Sequence, residues 1–213
     1  MGIVFGRTGT KEPTYSLLTT ATAGYEVRQY QKYFIAEVPH SKDGNGDDFR
    51  TLAKYIGVFG TPENVPKKPM AMTAPVLMDP SSSGSSSIDG SGSGQKIAMT
   101  SPVLQTDKTM SFVLPFEYQN LEEIPKPSNS QVQIKEANAR TVAVDCFSGW
   151  YSDNVGQERF TALCEKLKKD GILDENDVPN WSVAQYHPPF TLPFLRRNEI
   201  WIDVNKNKVK VTE

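Results

Sequence analysis

The sequence predicts an α+β fold: an antiparallel sheet carrying two helices, with the chain built as two similar halves. Three observations lead there. Short runs of β-type composition come in close pairs, as antiparallel strands do. Two longer segments set their apolar residues three and four apart, the spacing of one helix face. The order of paired runs, helix and further strands occurs twice, with a near-copy of one heptapeptide in the middle.

Tyr25–Tyr30 alternates apolar and polar residues, the period of a half-buried strand. Tyr33–Val38 follows after two residues, so the two are expected to pair as a hairpin. Asp43-Gly44-Asn45-Gly46-Asp47-Asp48 supplies turn residues and a helix N-cap. In the helix that follows, Phe49, Leu52, Ala53 and Ile56 share one face, and Gly57 or Gly60 ends it. Ala71–Leu77 (AMTAPVL) returns as Ala98–Leu104 (AMTSPVL), alike at six of seven positions. The two copies predict a long hairpin or a duplicated strand, each proline lying at a strand end, edge or bulge. Between them, Ser81–Gly94 is Ser or Gly at 12 of 14 positions. Such a segment buries too little apolar surface to offset its ordering entropy and reads as a flexible loop within a single domain, residues 1–213.

The second half follows the same order. Val132–Glu136 and Thr141–Phe147 read as a second hairpin. Asp153 or Asn154 caps a second helix with Phe160, Leu163, Cys164 and Leu167 inward, and Gly171 stops it. Trp181–Tyr186 and Glu199–Val204 read as strands around a proline-rich loop, with a short strand at Lys208–Val211. Cys146 on a strand and Cys164 on a helix read as buried thiols. Helices on one side of each half leave a concave surface between the halves.

Composition narrows the function. With 23 basic and 25 acidic residues the chain has no general attraction for nucleic acid or anionic membranes. No apolar run is long enough to span a bilayer. The start, MGIVFGR, lacks a signal peptide, and Gly6 breaks the myristoylation pattern. The cysteines make no zinc spacing. A soluble, reducing compartment follows; the acidic Glu12 and short leader favour cytoplasm, with plastid as the alternative.

Catalytic signatures are missing: there is no GxSxG, HExxH or P-loop. Asp43, Asn45 and Asp47 have the opening spacing of a calcium loop, but Asp48 stands where its glycine belongs, and a turn leading into the helix is preferred. The strongest local signature is Tyr186–Trp201, YHPPFTLPFLRRNEIW: a stiff, aromatic, proline-rich loop followed by Arg196 and Arg197. The run Arg196–Glu199 reads as fixing the last strand through charge-assisted bonds.

At this stretch the sequence closely resembles the SOUL, or haem-binding protein, family. PFLRRNEIWI, the duplicated AMTAPV/AMTSPV, YEVRQY, FRTLAKYIG and RTVAVDCFSG occur in the family's order from about Tyr15 to Val204, and MGIVFG and KYIGVFG look most like its plant and algal branch. The resemblance implies a distorted antiparallel β-barrel with two long helices and a pseudo-twofold internal repeat. It implies non-covalent binding of haem or another tetrapyrrole in a shallow apolar cleft beside the first helix, covered by the loop before the last strands. Carried over by position, the site comprises Phe49, Arg50, Leu52, Ala53, Lys54 and Ile56, with Tyr186, His187, Phe190, Leu192 and Phe194. A tetrapyrrole is a flat apolar disc with two propionates, and it wants aliphatic and aromatic walls with cations at the rim. Lys54 matches a family lysine near the propionates, and Arg50 lies one turn earlier.

Two departures bear on iron. Gln29 stands where some animal members have a histidine ligand, and His187 stands where the family commonly has asparagine. His187 is thereby the candidate axial ligand. The leading expectation is a soluble carrier or buffer of haem or a porphyrin, not an enzyme, with protein partners in tetrapyrrole metabolism. The competing readings are a protein-interaction or ligand-sensing module without turnover, and an enzyme using Glu199 or Asp48 as base.

Overall fold

A computed structural model of the chain describes residues 12–21, 23–39, 47–58, 60–71, 73–78, 109–187 and 191–209. The Ser/Gly segment 81–94, the second heptapeptide copy 98–104 and Phe190 lie outside the described residues.

The strands are β1 (Tyr15–Thr20), β2 (Glu26–Tyr30), β3 (Tyr33–Pro39), β4 (Asn64–Val65), β5 (Val76–Met78), β6 (Thr109–Val113), β7 (Lys126–Pro127), β8 (Gln133–Ala137), β9 (Arg140–Phe147), β10 (Trp181–Gln185) and β11 (Asn198–Asp203). The helices are α1 (Asp47–Ile56) and α2 (Asp153–Lys169). Strands β4 and β7 pair separately; the other nine form one antiparallel sheet in the order β1-β2-β9-β11-β10-β5-β6-β3-β8.

Neither expected hairpin forms. β2 pairs with β1 and β9, and β3 pairs with β6 and β8. The reason lies in the breaks. Gln31-Lys32 and Asn138-Ala139 lack the Gly-containing dipeptides a two-residue hairpin requires. The chain bends there and continues as a strand. β2 with β3, and β8 with β9, are therefore two long bent strands lying antiparallel in one register, from Glu26 opposite Val144 to Glu37 opposite Gln133. Because these two segments supply neighbours near both ends of the strand order, the sheet curls back on itself. The pseudo-twofold repeat is a long bent strand, a helix and two further strands, with β5 and β10 adjacent at the centre.

Alternation along each strand divides the sheet into two faces. Outward, Phe34, Ala36, Val38 and Phe112 meet Leu52, Ala53 and Ile56 of α1. Val27, Ala143, Val183, Ile200 and Ile202 meet Leu163 and Leu167 of α2. Inward, Tyr30, Tyr33, Leu77, Val113, Val142, Val144, Ala184, Tyr186 and Trp201 form a third core inside the curl.

The helices end as the sequence signals. Gly57 takes φ 89° after α1 and Gly171 takes φ 74° after α2, the left-handed conformation of a C-terminal cap. The cap of α2 is Ser152 instead of Asp153 or Asn154; its Oγ accepts from the Val155 amide. Asp153 is the first helical residue, where a carboxylate favours the dipole. Of the short strand expected at Lys208–Val211, Lys208 instead closes a 3-10 turn, Lys206–Lys208, with Asn205 capping the Asn207 amide, and residues 210 and 211 lie outside the described residues. The expectation of two buried thiols is corrected. Cys146 is exposed, since it lies near the end of β9, and Cys164 is partly buried. β1 escaped prediction because its side chains are mostly exposed and carry no alternation.

Candidate functional site

The pairing registers build one row across the outer face: Ala36, Phe112, Val76, Gln185, Asn198 and Phe147, each opposite the next. A second row runs Val38, Met110, Met78, Val183 and Ile200. α1 packs over β3 and β6 at one end of these rows, and α2 over β11 at the other. The middle of the sheet lies between the helices. There Val76, Met78, Met110 and Gln185 are half-buried, while the residues at the row ends are buried under the helices. Val76 packs against the α1 core and Met78 against the α2 core, so the two straddle the halves. Phe49 on α1 is also half-buried and meets the Phe112 ring edge-on, with centroids 5.2 Å apart. The result is a shallow apolar strip walled by Phe49.

The expected site residues separate into three groups. Leu52, Ala53 and Ile56 are buried core beneath α1. Phe49, Arg50 and Lys54 reach the surface: Arg50 pairs with Asp47 at 3.4 Å and Lys54 with Glu63 at 4.0 Å, all four exposed enough to be hydrated. The proline-rich loop divides as well. Tyr186 is buried, with its ring under the Arg197 guanidinium at 3.5 Å and its hydroxyl donating to Glu199 at 2.7 Å. That bond and burial together raise the Tyr186 pKa far above the ordinary phenol value, burial contributing most. Leu192 and Phe194 are exposed.

His187 is half-buried, and its Nδ1 accepts from the Arg197 amide at 3.0 Å. The Tyr186 amide in turn donates to the Arg197 carbonyl at 3.2 Å, so the loop is tied at its base. An Nδ1 that accepts carries no proton, and in the neutral ring the proton sits on Nε2. Iron ligation through Nε2 thus requires the Arg197 bond to break first. Among the described residues no cluster of three or more His, Cys, Asp or Glu side chains is placed to hold a metal ion.

Inside the curl lies an arrangement that sequence reading missed. Arg28, on the strand face that reads as polar and outward, is buried and points inward. Its Nη1 donates to both Glu199 oxygens at 3.1 Å. Glu199 also accepts from Tyr186 and from Trp201 Nε1, each at 2.7 Å. Arg197 lies 3.5 Å from Glu199 and pairs outward with Glu12, while Arg28 pairs with Glu26 at 2.7 Å. Five charges alternate in sign from Glu12 to Glu26, and Arg28 is held protonated well above its ordinary range: burial opposes the charge, and Glu199 outweighs it. The run Arg196–Glu199 anchors the last strand through these bonds and through Arg196 Nε to the Thr191 carbonyl at 2.8 Å. Glu199, the base an enzyme reading would use, is saturated with donors on the face opposite the strip.

Comparison with known proteins identifies the lineage. The SOUL haem-binding protein profile matches residues 10–203. The chain belongs to the SOUL family. Two relatives of this SOUL protein are named heme-binding protein 2: that of Mus musculus is 33% identical over 112 residues, 53% of this chain and 52% of that one. That of Homo sapiens is 32% identical over 124 residues, 53% of this chain and 58% of that one. The chain spans about half the length of the curated relatives it matches. A hydrolase encoded by lin2189 from Listeria innocua superposes with TM-score 0.52 at 9% identity, covering 86% of this chain and 92% of that one, which shows a shared fold.

Proposed function

We propose that this SOUL protein binds haem or a related tetrapyrrole without a covalent bond and acts as a carrier or buffer, without turnover. Membership of the haem-binding family across residues 10–203 carries the reading. The site's chemistry supports it. Val76, Met78, Met110 and Phe49 offer a half-buried apolar strip to one face of a flat macrocycle, and Arg50 and Lys54 stand on the exposed side of α1 for its propionates. The residues fit the organic disc better than its metal, since His187 Nδ1 is already engaged. When bound, haem supplies the redox-active iron; the chain supplies apolar burial and charge pairing. The cytoplasm is the proposed location.

Absorbance titration with hemin, protoporphyrin and a chlorophyll derivative tests the proposal. Saturable Soret shifts with both hemin and metal-free protoporphyrin are expected. Curves that match free pigment in buffer overturn it.

A further inference from the structure

Gln185 sets a polar side chain in the apolar strip. It ends β10, one residue after Ala184, which faces the inside of the curl, so its own side chain faces outward with the strip. It is half-buried. Val76 stands opposite it on β5 and Asn198 on β11. Val183, two residues back on the same face, is wholly buried. Asn198 Nδ2 is engaged, donating to the Gly149 carbonyl at 3.1 Å. Among the described residues the Gln185 amide has neither a donor nor an acceptor partner. A primary amide brings two N–H donors and a carbonyl. A flat ligand laid over a half-buried amide removes its water. Left unpaired beneath the ligand, the amide weakens binding; given an acceptor, it strengthens binding and discriminates against ligands that lack one.

The register places this amide at the far side of the strip from α1. The row Phe112, Val76, Gln185 crosses β6, β5 and β10. Two strand spacings of about 4.8 Å separate Gln185 from Phe112, where Phe49 of α1 walls the strip. That span is comparable with the breadth of a tetrapyrrole ring. A macrocycle whose propionates turn to Arg50 and Lys54 of α1 therefore brings its opposite edge to Gln185. We propose that Gln185 selects tetrapyrroles by that edge, donating a hydrogen bond to a carbonyl substituent, formyl or acetyl, on the side of the ring away from the propionates. In haem and protoporphyrin that edge carries vinyl and methyl groups, which leave the amide unpaired. A carbonyl there accepts from the amide N–H and restores the bond that water made. The inference rests on the tetrapyrrole reading and on the orientation that α1 imposes, and it adds the class of pigment the strip prefers.

Mesoporphyrin and diacetyldeuteroporphyrin test it. They share both propionates and differ only at the opposite edge, ethyl against acetyl. Both are used metal-free, so iron ligation plays no part. Fluorescence titration of the full chain gives each Kd. The preference for the diacetyl porphyrin over mesoporphyrin is expected to be about tenfold greater in the parent than in Gln185→Leu. The two constants should move in opposite directions: Gln185→Leu binds mesoporphyrin more tightly and the diacetyl porphyrin more weakly. Resonance Raman reads the bond itself. One acetyl carbonyl stretch should fall on binding to the parent and keep its apolar-solvent value in Gln185→Leu. If mesoporphyrin binds saturably and the preference is the same in both proteins, this proposal fails while the tetrapyrrole reading stands. If neither porphyrin binds, both fail together. Equal weakening of the two porphyrins in Gln185→Leu assigns the side chain to the shape of the strip and overturns the proposal. If Gln185→Leu does not fold, the parent alone decides: an unshifted carbonyl stretch in its diacetyl complex overturns the proposal.

Discussion

Arg28 and Glu199, 171 residues apart in the chain, meet inside the curled sheet, where one guanidinium nitrogen donates to both carboxylate oxygens. The pair joins the first long strand to the last strand of the sheet, which are not neighbours in strand order, across β9. Removing one partner leaves a buried charge and three donors poorly satisfied. Glu199→Gln is expected to cost about 3–5 kcal/mol in urea unfolding. Arg28→Met with Glu199→Met should recover part of that loss, because no charge is then left unpaired inside. Equal destabilisation by single and double changes would deny the pair its role.

The buried side of α1 and the half-buried strip beside it separate stability from binding. Leu52 is wholly buried, so Leu52→Ala should cost about 2–5 kcal/mol. Val76 is half-buried, so Val76→Ser should cost less than about 1.5 kcal/mol. The effect on hemin should run the other way: about tenfold weaker for Val76→Ser, and unchanged for Leu52→Ala at temperatures where it is folded. Denaturation and Soret titration on the same samples check both.

How much of this was legible depends on whether a signal is local. Helical period placed the inner faces of both helices, and Gly57 and Gly171 placed their ends. The bends at Gln31-Lys32 and Asn138-Ala139 read as hairpins because nearness in sequence suggests pairing, whereas the missing turn residues point to a continuous strand. The strip escaped notice because Val76, Met110 and Gln185 become neighbours only through ladder register. The Arg28–Glu199 network escaped for the same reason, and because alternation cannot say which face of a strand is covered by a helix and which is enclosed by the sheet.

Arg50 and Lys54 carry the charge half of the proposed site. If they meet propionates, Arg50→Gln and Lys54→Gln should each weaken hemin binding about twofold to fivefold, the range of exposed ion pairs. Hemin dimethyl ester, which lacks those charges, should bind parent and variants alike. An equal loss with the ester would mean that the changes act through the shape of α1.

Asp203 gives the pH dependence. Burial raises its carboxyl above the usual aspartate range, and Arg140, 3.5 Å away, only partly offsets this. The folded state then holds the proton more tightly than the unfolded chain. Its contribution is therefore complete below the ordinary aspartate value and is lost as pH rises through the raised one. Asp203→Asn should remove that loss, so the variant gains stability relative to the parent at neutral pH, and the gain should vanish under acid. Thermal melts from pH 3 to 7 check the crossing; a gain that persists unchanged at pH 3 would refer it to packing.

His187 decides how iron is held. Its Nδ1 accepts from the Arg197 amide, and that bond closes the loop carrying Leu192 and Phe194. If the bond persists in the loaded protein, Nε2 bears the proton and cannot donate a lone pair to iron. His187→Ala should then leave the Soret maximum of bound hemin in place. It should speed hemin release, because the loop loses a tie at its base. A Soret displacement with slower or equal release would reverse the assignment: the loop would have to open, free the Arg197 amide and present His187 as the axial ligand. Protoporphyrin separates the two outcomes, since without iron only the loop effect on release can remain.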